Sequence, residues 1–276
     1  MGAWLQTAPG RYLLDWEQDR LDHGVTDAFG FHALQLGLPE LEGLRANRMP
    51  HRWVASDSMH VPEMLPLPPQ RDTSISTQSA AGDPVHLHCE FDALPFPDAS
   101  IDLVVLPHAL ELARDPHLTL REVERVLAPE GRIVIAGFNP ASLWGLRQRA
   151  GRARRGLGLT PEQGLYLPRA GDFIGFWRLR DWLRLLGFEI EGGQFGCYRP
   201  PLATDRWLQR FEWMDRVGDR WWPVFGAVYF LVAVKRVRGM RLVGLARQPQ
   251  RRAATRAAVV AQRQPEPALN RETEQA

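Results

Sequence analysis

Short apolar runs alternate with amphipathic stretches along most of this chain. IDLVVL at 101–106 is continuously apolar, the mark of a strand buried on both faces, and RIVIAGF at 132–138 reads the same way. Between them, Asp115 stands as an N-cap before Pro116. Leu118, Leu120, Val123, Val126 and Leu127 then fall on one side of a helix that Pro129 and Gly131 end. Upstream, Phe31–Leu36, HRWVAS at 51–56 and VHLHCEF at 85–91 predict three more strands. An amphipathic helix over 10–29 precedes the first of them, and a short helix near 40–47 follows it. Residues 62–84, rich in Pro, Ser, Thr, Gln and Asp, predict a surface loop. Downstream come a helix over 176–186 stopped by Gly187, a strand from Phe188 to about Phe195, a Trp-rich segment over 203–222 and a last strand over 224–234.

Strands and helices in this alternation predict an α/β fold with a parallel sheet and right-handed crossovers. Ligands of such sheets lie beyond the carboxyl ends of the strands. Here those ends are Gly37, residues 56–58, Asp92, 107–111 and 137–140.

The charge balance divides the chain. The 276 residues sum to +2, but 235–276 holds ten Lys or Arg against three Asp or Glu, which leaves 1–234 at −5. The tail reads as a solvated, disordered extension, with weak contact to nucleic acid or anionic lipid as the functional alternative. RQRAGRARR, 147–155, places five arginines in nine positions after the fifth strand. Two readings stand for it: a solvated loop, or an attraction for an anionic substrate, RNA or lipid headgroups. In 205–225, Trp207, Leu208, Phe211 and Met214 share one helical face, which fits a packed inserted helix, a cap over a pocket, a dimer face or shallow membrane contact.

Two cysteines, Cys89 and Cys197, suit a reducing compartment and no disulfide framework. The longest apolar run, Trp221–Val234, contains Pro223 and Gly226 and falls short of the roughly 20 residues of a membrane span. No export signal is evident, so a cytoplasmic protein is expected. His86 and His88 alternate onto one face of their strand, without further ligands for zinc, and no metal is expected.

The block FDALPFPDASIDLVVLPHALELARDPHLTLREVERVLAPEGRIVIAGFNP, 91–140, resembles class I S-adenosylmethionine-dependent methyltransferases of the type 11 group. The likeness rests on the acid after strand three, the Pro-Phe turn, strand four and the helix-to-strand junction, in that order. It implies a Rossmann-like seven-stranded methyltransferase sheet, mostly parallel with an antiparallel last strand. It implies S-adenosylmethionine as cofactor and in-line methyl transfer to an acceptor, small or macromolecular, that the sequence does not identify. Asp92 takes the place of the acid that accepts from the adenine amino group, with the Ala93 and Leu94 backbone completing the base edge. Asp57, 20 residues after Gly37, is the candidate for the ribose hydroxyls.

Aligned with the group's acid-x-Gly-x-Gly-x-Gly loop, the chain offers Gln35, Gly37, Pro39 and Leu41. Gln35 keeps hydrogen bonding without charge, Pro39 lacks a backbone donor, and Leu41 adds bulk at a place of close approach. Pro107 and His108 follow strand four, facing the sulfonium and the acceptor. His108 is the general-base candidate, against the alternative of a hydrogen-bonded structural histidine. The expected organisation is a helical extension over 1–30 and a methyltransferase-like domain over 31–234. The domain has its core at 31–140 and insertions at about 141–175 and 200–222, and the basic tail covers 235–276. A non-catalytic binding or regulatory protein that retains this fold is the rival reading, favoured by Gln35, Pro39 and Leu41.

Overall fold

A computed structural model describes residues 1–57, 84–157, 165–168 and 173–236. The loop expected over 62–84 therefore lies almost wholly outside the described residues, as does nearly all of the basic tail. Helix α1 (Gly2–Leu5) leads into α2 (Ala8–Thr26), where Thr7 Oγ1 accepts from the Gly10 amide and Pro9 sits in the first turn. The strands are β1 (His32–Leu36), β2 (His51–Ser56), β3 (Val85–His88), β4 (Ile101–Pro107), β5 (Leu127–Phe138), β6 (Phe188–Gly196) and β7 (Val228–Lys235). They form one sheet in the order β3-β2-β1-β4-β5-β7-β6. β3 to β5 pair in parallel, while β7 runs antiparallel to both β5 and β6. This is the seven-stranded, mostly parallel sheet that the resemblance implied.

The period of two along the central strands divides the core between the two faces. Leu34, Leu36, Val104, Leu106, Ile133 and Ile135 face α4 (Pro116–Val126) and α6 (Phe176–Leu185). Ala33, Leu103, Val105, Val134 and Ala136 face α2 and α5 (Leu143–Gly156). Between β4 and α4, α3 (Ala109–Leu112) makes a single turn, and the N-caps of α3 and α4 differ. His108 has no side-chain cap bond to the helix, whereas Asp115 Oδ1 accepts from His117 and Leu118 at 2.8 and 3.2 Å. After β6 come α7 (Asp205–Arg210), α8 (Trp213–Trp221) and a 3-10 turn at Pro223–Phe225.

Two expectations are corrected. No helix forms near 40–47. Instead, separate turns close from Leu41 to Leu38, Arg45 to Glu42 and Asn47 to Leu44. Pro39 and Gly43 disfavour a helix here, and the Gln35 side chain takes carbonyls that a helix would use. Conversely, the arginine-rich stretch 147–155 is not a loop but most of α5. Ser142 caps it, accepting from the Gly145 amide at 3.0 Å, and Trp144 and Gln148 are its buried anchors. The strands at 85–91 and 224–234 are shorter than expected, and β5 begins at Leu127 rather than 132.

Candidate functional site

The carboxyl ends of β2 and β3 bring Asp57 and Asp92 to one narrow cleft, lined also by Glu90, Phe91, Arg114, Asp115 and Thr119. The loop that carries Asp92 is fixed from beneath. Glu122, on α4, accepts from the Leu94 amide at 2.9 Å, and Arg125 Nη2 donates to the carbonyls of Leu94 and Phe96 at 3.2 and 3.0 Å. Arg125 is itself held by Glu122 at 2.6 Å and by Asp98. Its hydrogen bond keeps the Glu122 carboxyl below the ordinary carboxylate range. One consequence bears on the base edge expected of Ala93 and Leu94. The Ala93 amide donates to Glu90 and the Leu94 amide to Glu122, so both donors are engaged within the protein.

At the end of β1 the Gln35 side chain is bonded into its own turn, although Gln35, Pro39 and Leu41 also line a cavity of about 600 Å³ with Arg45, Arg52 and His86. Gln35 is 1% exposed, and its Nε2 lies 2.9 and 2.7 Å from the carbonyls of Leu38 and Leu41 and 3.3 Å from that of Gly37. Its Oε1 accepts from the Gly43 amide at 2.9 Å. The amide thus gathers the whole turn, a task for which a carboxylate, having no donor, is unsuited. Gly37 has φ of +82°, a conformation that suits glycine, and its amide donates to Ala55 at 2.8 Å. Leu38 also has positive φ, at +29°, a strained value for a branched side chain. Leu38 and Leu41 are both buried. Pro107 is buried at the end of β4, and its carbonyl oxygen lies 3.5 Å from the position that a Gly37 Cβ would take.

Beyond β4, His108 adopts a left-handed conformation, φ +54°, and is fully buried. Its Nδ1 lies 2.8 Å from Glu111 Oε2, and its Nε2 lies 2.7 Å from Glu17 Oε1 of α2. Glu111 Oε1 accepts from the Phe138 amide at 2.5 Å, and the Glu17 Oε2 atom has no hydrogen-bond partner among the described residues. Burial acts to lower the histidine's pKa, but the two carboxylates outweigh it and raise it to about 10. The imidazolium therefore joins α2 to the centre of the sheet. Nearby, Tyr12 of α2 donates to Asp215 of α8 at 2.5 Å, and burial pushes the Tyr12 hydroxyl and the Cys197 thiol well up.

The candidate residues thus fall into two groups. Asp57 and Asp92 share a cleft. Gln35 and His108 sit near the strand ends but are turned into the protein, and a charged His108 with a carboxylate on each nitrogen has no lone pair with which to accept a proton. To act as a general base, His108 would have to leave one of these two carboxylates. Sequence reading missed Glu17, 91 residues away from its partner. Its only trace was an acid within an otherwise amphipathic helix, at a position on the buried side. His86 and His88 are exposed on the edge strand β3, and no group of three His, Cys, Asp or Glu suited to a metal occurs among the described residues.

Residues 67–135 match the family described as "Methyltransferase domain", type 11. The uncharacterized protein YafS of Escherichia coli is 40% identical over 112 residues, 41% of this chain and 42% of that protein. The malonyl-[acyl-carrier protein] O-methyltransferase of Halorhodospira halophila is 47% identical over 58 residues, 21% of this chain and 20% of that enzyme. The matched segments thus span less than half the length of these relatives. Among solved structures, a chain from the complex of the Haloferax volcanii Trm112 methyltransferase activator with a methyltransferase is similar in fold. It has a TM-score of 0.50 and 19% identity, covering 86% of this chain and 96% of that one.

Proposed function

We propose that this chain, a class I S-adenosylmethionine-dependent methyltransferase of the type 11 group, holds its cofactor from the adenosine end and transfers the methyl group in line to an acceptor. The observation that carries the reading is the shared cleft of Asp57 and Asp92 at the carboxyl ends of two adjacent parallel strands. In this assignment Asp92 accepts from the exocyclic amine of adenine and Asp57 from the ribose hydroxyls, both matches of a pure acceptor to a donor. Gly37 allows the close approach of backbone that the β1 turn requires. Bound S-adenosylmethionine supplies a methyl group on a sulfonium, activated without help from an acid or base.

The protein's task is then placement and exclusion of water. We assign His108 a positioning part: bridged by Glu17 and Glu111, it holds α2 across the end of β4 as a roof. The cofactor's amino-acid end fits less well. Gln35 is committed to its own turn, so this end relies on backbone groups rather than on the acid that the resemblance implies. Among the described residues no helix is long and apolar enough to cross a membrane. The two free cysteines suit the cytoplasm we assign. We keep 1–30 as the proposed helical extension and 31–234 as the proposed methyltransferase-like domain, within a single compact unit of Met1–Val237.

Calorimetric titration with S-adenosylmethionine and S-adenosylhomocysteine tests the reading. Micromolar binding, lost in Asp92→Ala, is expected. No heat and no thermal shift at millimolar ligand overturn it. That result favours the second reading, a non-catalytic binding protein, for which the internally bonded Gln35 turn and the sealed His108 are the supporting observations.

A further inference from the structure

Helix α5 leaves an apolar stripe uncovered. Leu143, Leu146, Ala150, Ala153 and Leu157 recur at spacings of three and four, so they fall on one face, and all five are exposed. The three leucines are 50%, 58% and 74% exposed, although the same helix buries Trp144 and Gln148 on its other side. Arginines border the stripe. Arg147 and Arg154 are exposed within its width and Arg149 at its edge, and the helix contains no Asp or Glu. Arg147 and Arg149 bond backbone carbonyls, of Pro201 and Pro140, and Arg147 also lies over the Tyr166 ring; among the described residues neither pairs with a carboxylate.

A second feature of the same kind stands beside it. α8 presents Trp213, Arg216, Arg220 and Trp221, at helical spacing and all exposed, and Trp222, Val224 and Phe225 continue outward in the turn that follows. Of its two acids, Asp215 is turned inward to Tyr12, Tyr198 and Arg199, and Asp219 is exposed beside Arg220. Both helices brace the short connection after β6. Trp144 donates to the Arg199 carbonyl at 2.7 Å, and Arg199 pairs with Asp215 at 2.8 Å.

We propose that α5, with the tryptophan turn after α8, docks this protein onto an anionic lipid surface. Leucine at the level of the acyl boundary, tryptophan at the interface and arginine among the headgroups are the chemistry of a helix lying in the plane of a membrane. Arginines not paired with a carboxylate select anionic lipid, each adding attraction close to the surface. A solvated helix has no use for the exposed leucines, and RNA bound through its phosphates would need the arginines alone.

The test uses the full chain without cofactor, so its outcome is independent of the proposed methyl transfer. Sedimentation with vesicles of phosphatidylcholine, alone or with about a third phosphatidylglycerol, is compared for wild type, Leu143→Ser/Leu146→Ser, Arg147→Gln/Arg154→Gln and Trp221→Ser/Trp222→Ser. These side chains are exposed, and unchanged melting curves confirm that the variants fold. Wild type is expected to bind the anionic vesicles with a blue shift of tryptophan fluorescence. The serine variants should each weaken binding about tenfold or more, and loss of each arginine about fivefold. Equal binding of wild type and the leucine variant overturns the proposal, because it places attraction in charge alone. So does the absence of binding. Retention on single-stranded RNA that depends on the arginines and not on the leucines, with no vesicle binding, replaces lipid by RNA.

Discussion

Asp57 and Asp92 carry their carboxylates to a common cleft at the β2–β3 end of the sheet, whereas Gln35 and His108, on the two central strands, engage every polar side-chain atom inside the protein. The two regions have the same position in the fold and opposite chemistry. At the first, two carboxylates line the cleft and the backbone beneath them is fixed by Glu122 and Arg125. At the second, polar groups provide the fixing themselves and leave little to offer a ligand. Adjacent strand ends of one sheet can thus present side chains to a cleft in one place and spend them on holding the backbone in another.

The largest expected effect tests the second region. His108→Ala leaves Glu17 and Glu111 buried without their cation, and removal of one partner of such a cluster costs about 3–5 kcal/mol. Chemical denaturation should show that loss. If stability is unchanged, the cluster is not what holds this end. The same group predicts a pH dependence. Its folded pKa, about 10, lies above the unfolded value of 6.5. The stabilisation is therefore complete below pH 6.5, declines as the pH rises and is gone beyond about 10. Melting temperatures across that range should fall more steeply for wild type than for a His108 variant.

The first region gives the next effect. Asp92→Ala, and separately Asp57→Ala, should weaken S-adenosylhomocysteine binding about ten- to hundredfold, the worth of a hydrogen bond to a charged group, with little change in stability. Equal losses of stability and binding would mean that these acids brace the loop instead. The smallest effect on the cofactor is predicted for Gln35→Glu. This change places at 35 the acid that the resemblance implies for such a loop but aims a carboxylate at the carbonyls of Leu38 and Leu41. It should lower stability by about 1–3 kcal/mol and leave affinity no better. A gain in affinity would show that the turn opens and that the two regions are more alike than they look.

The sheet was readable because its central strands are buried on both faces, and IDLVVL and RIVIAGF have no other stable place. The placement of Asp57 and Asp92 at strand ends was readable because one follows β2 directly and the other comes four residues after β3. The turn after β1 was not, since a glutamine that satisfies carbonyls three and six residues onward leaves no periodic trace. Nor was α5, where arginine and glycine obscured the Ser142 cap and the Trp144–Gln148 spacing. The Glu17–His108 pair joins elements 91 residues apart, a distance across which local pattern is silent.

Arg125 lastly bears on speed rather than strength. With the Asp92 loop tied to α4 by Arg125 and Glu122, its backbone does not have to be ordered when adenosine arrives. Capture at that end should proceed as a single encounter, with a rate proportional to ligand concentration and no slow phase that levels off. Arg125→Ala should introduce such a phase, as the loop comes to sample arrangements that must be selected before the base can settle.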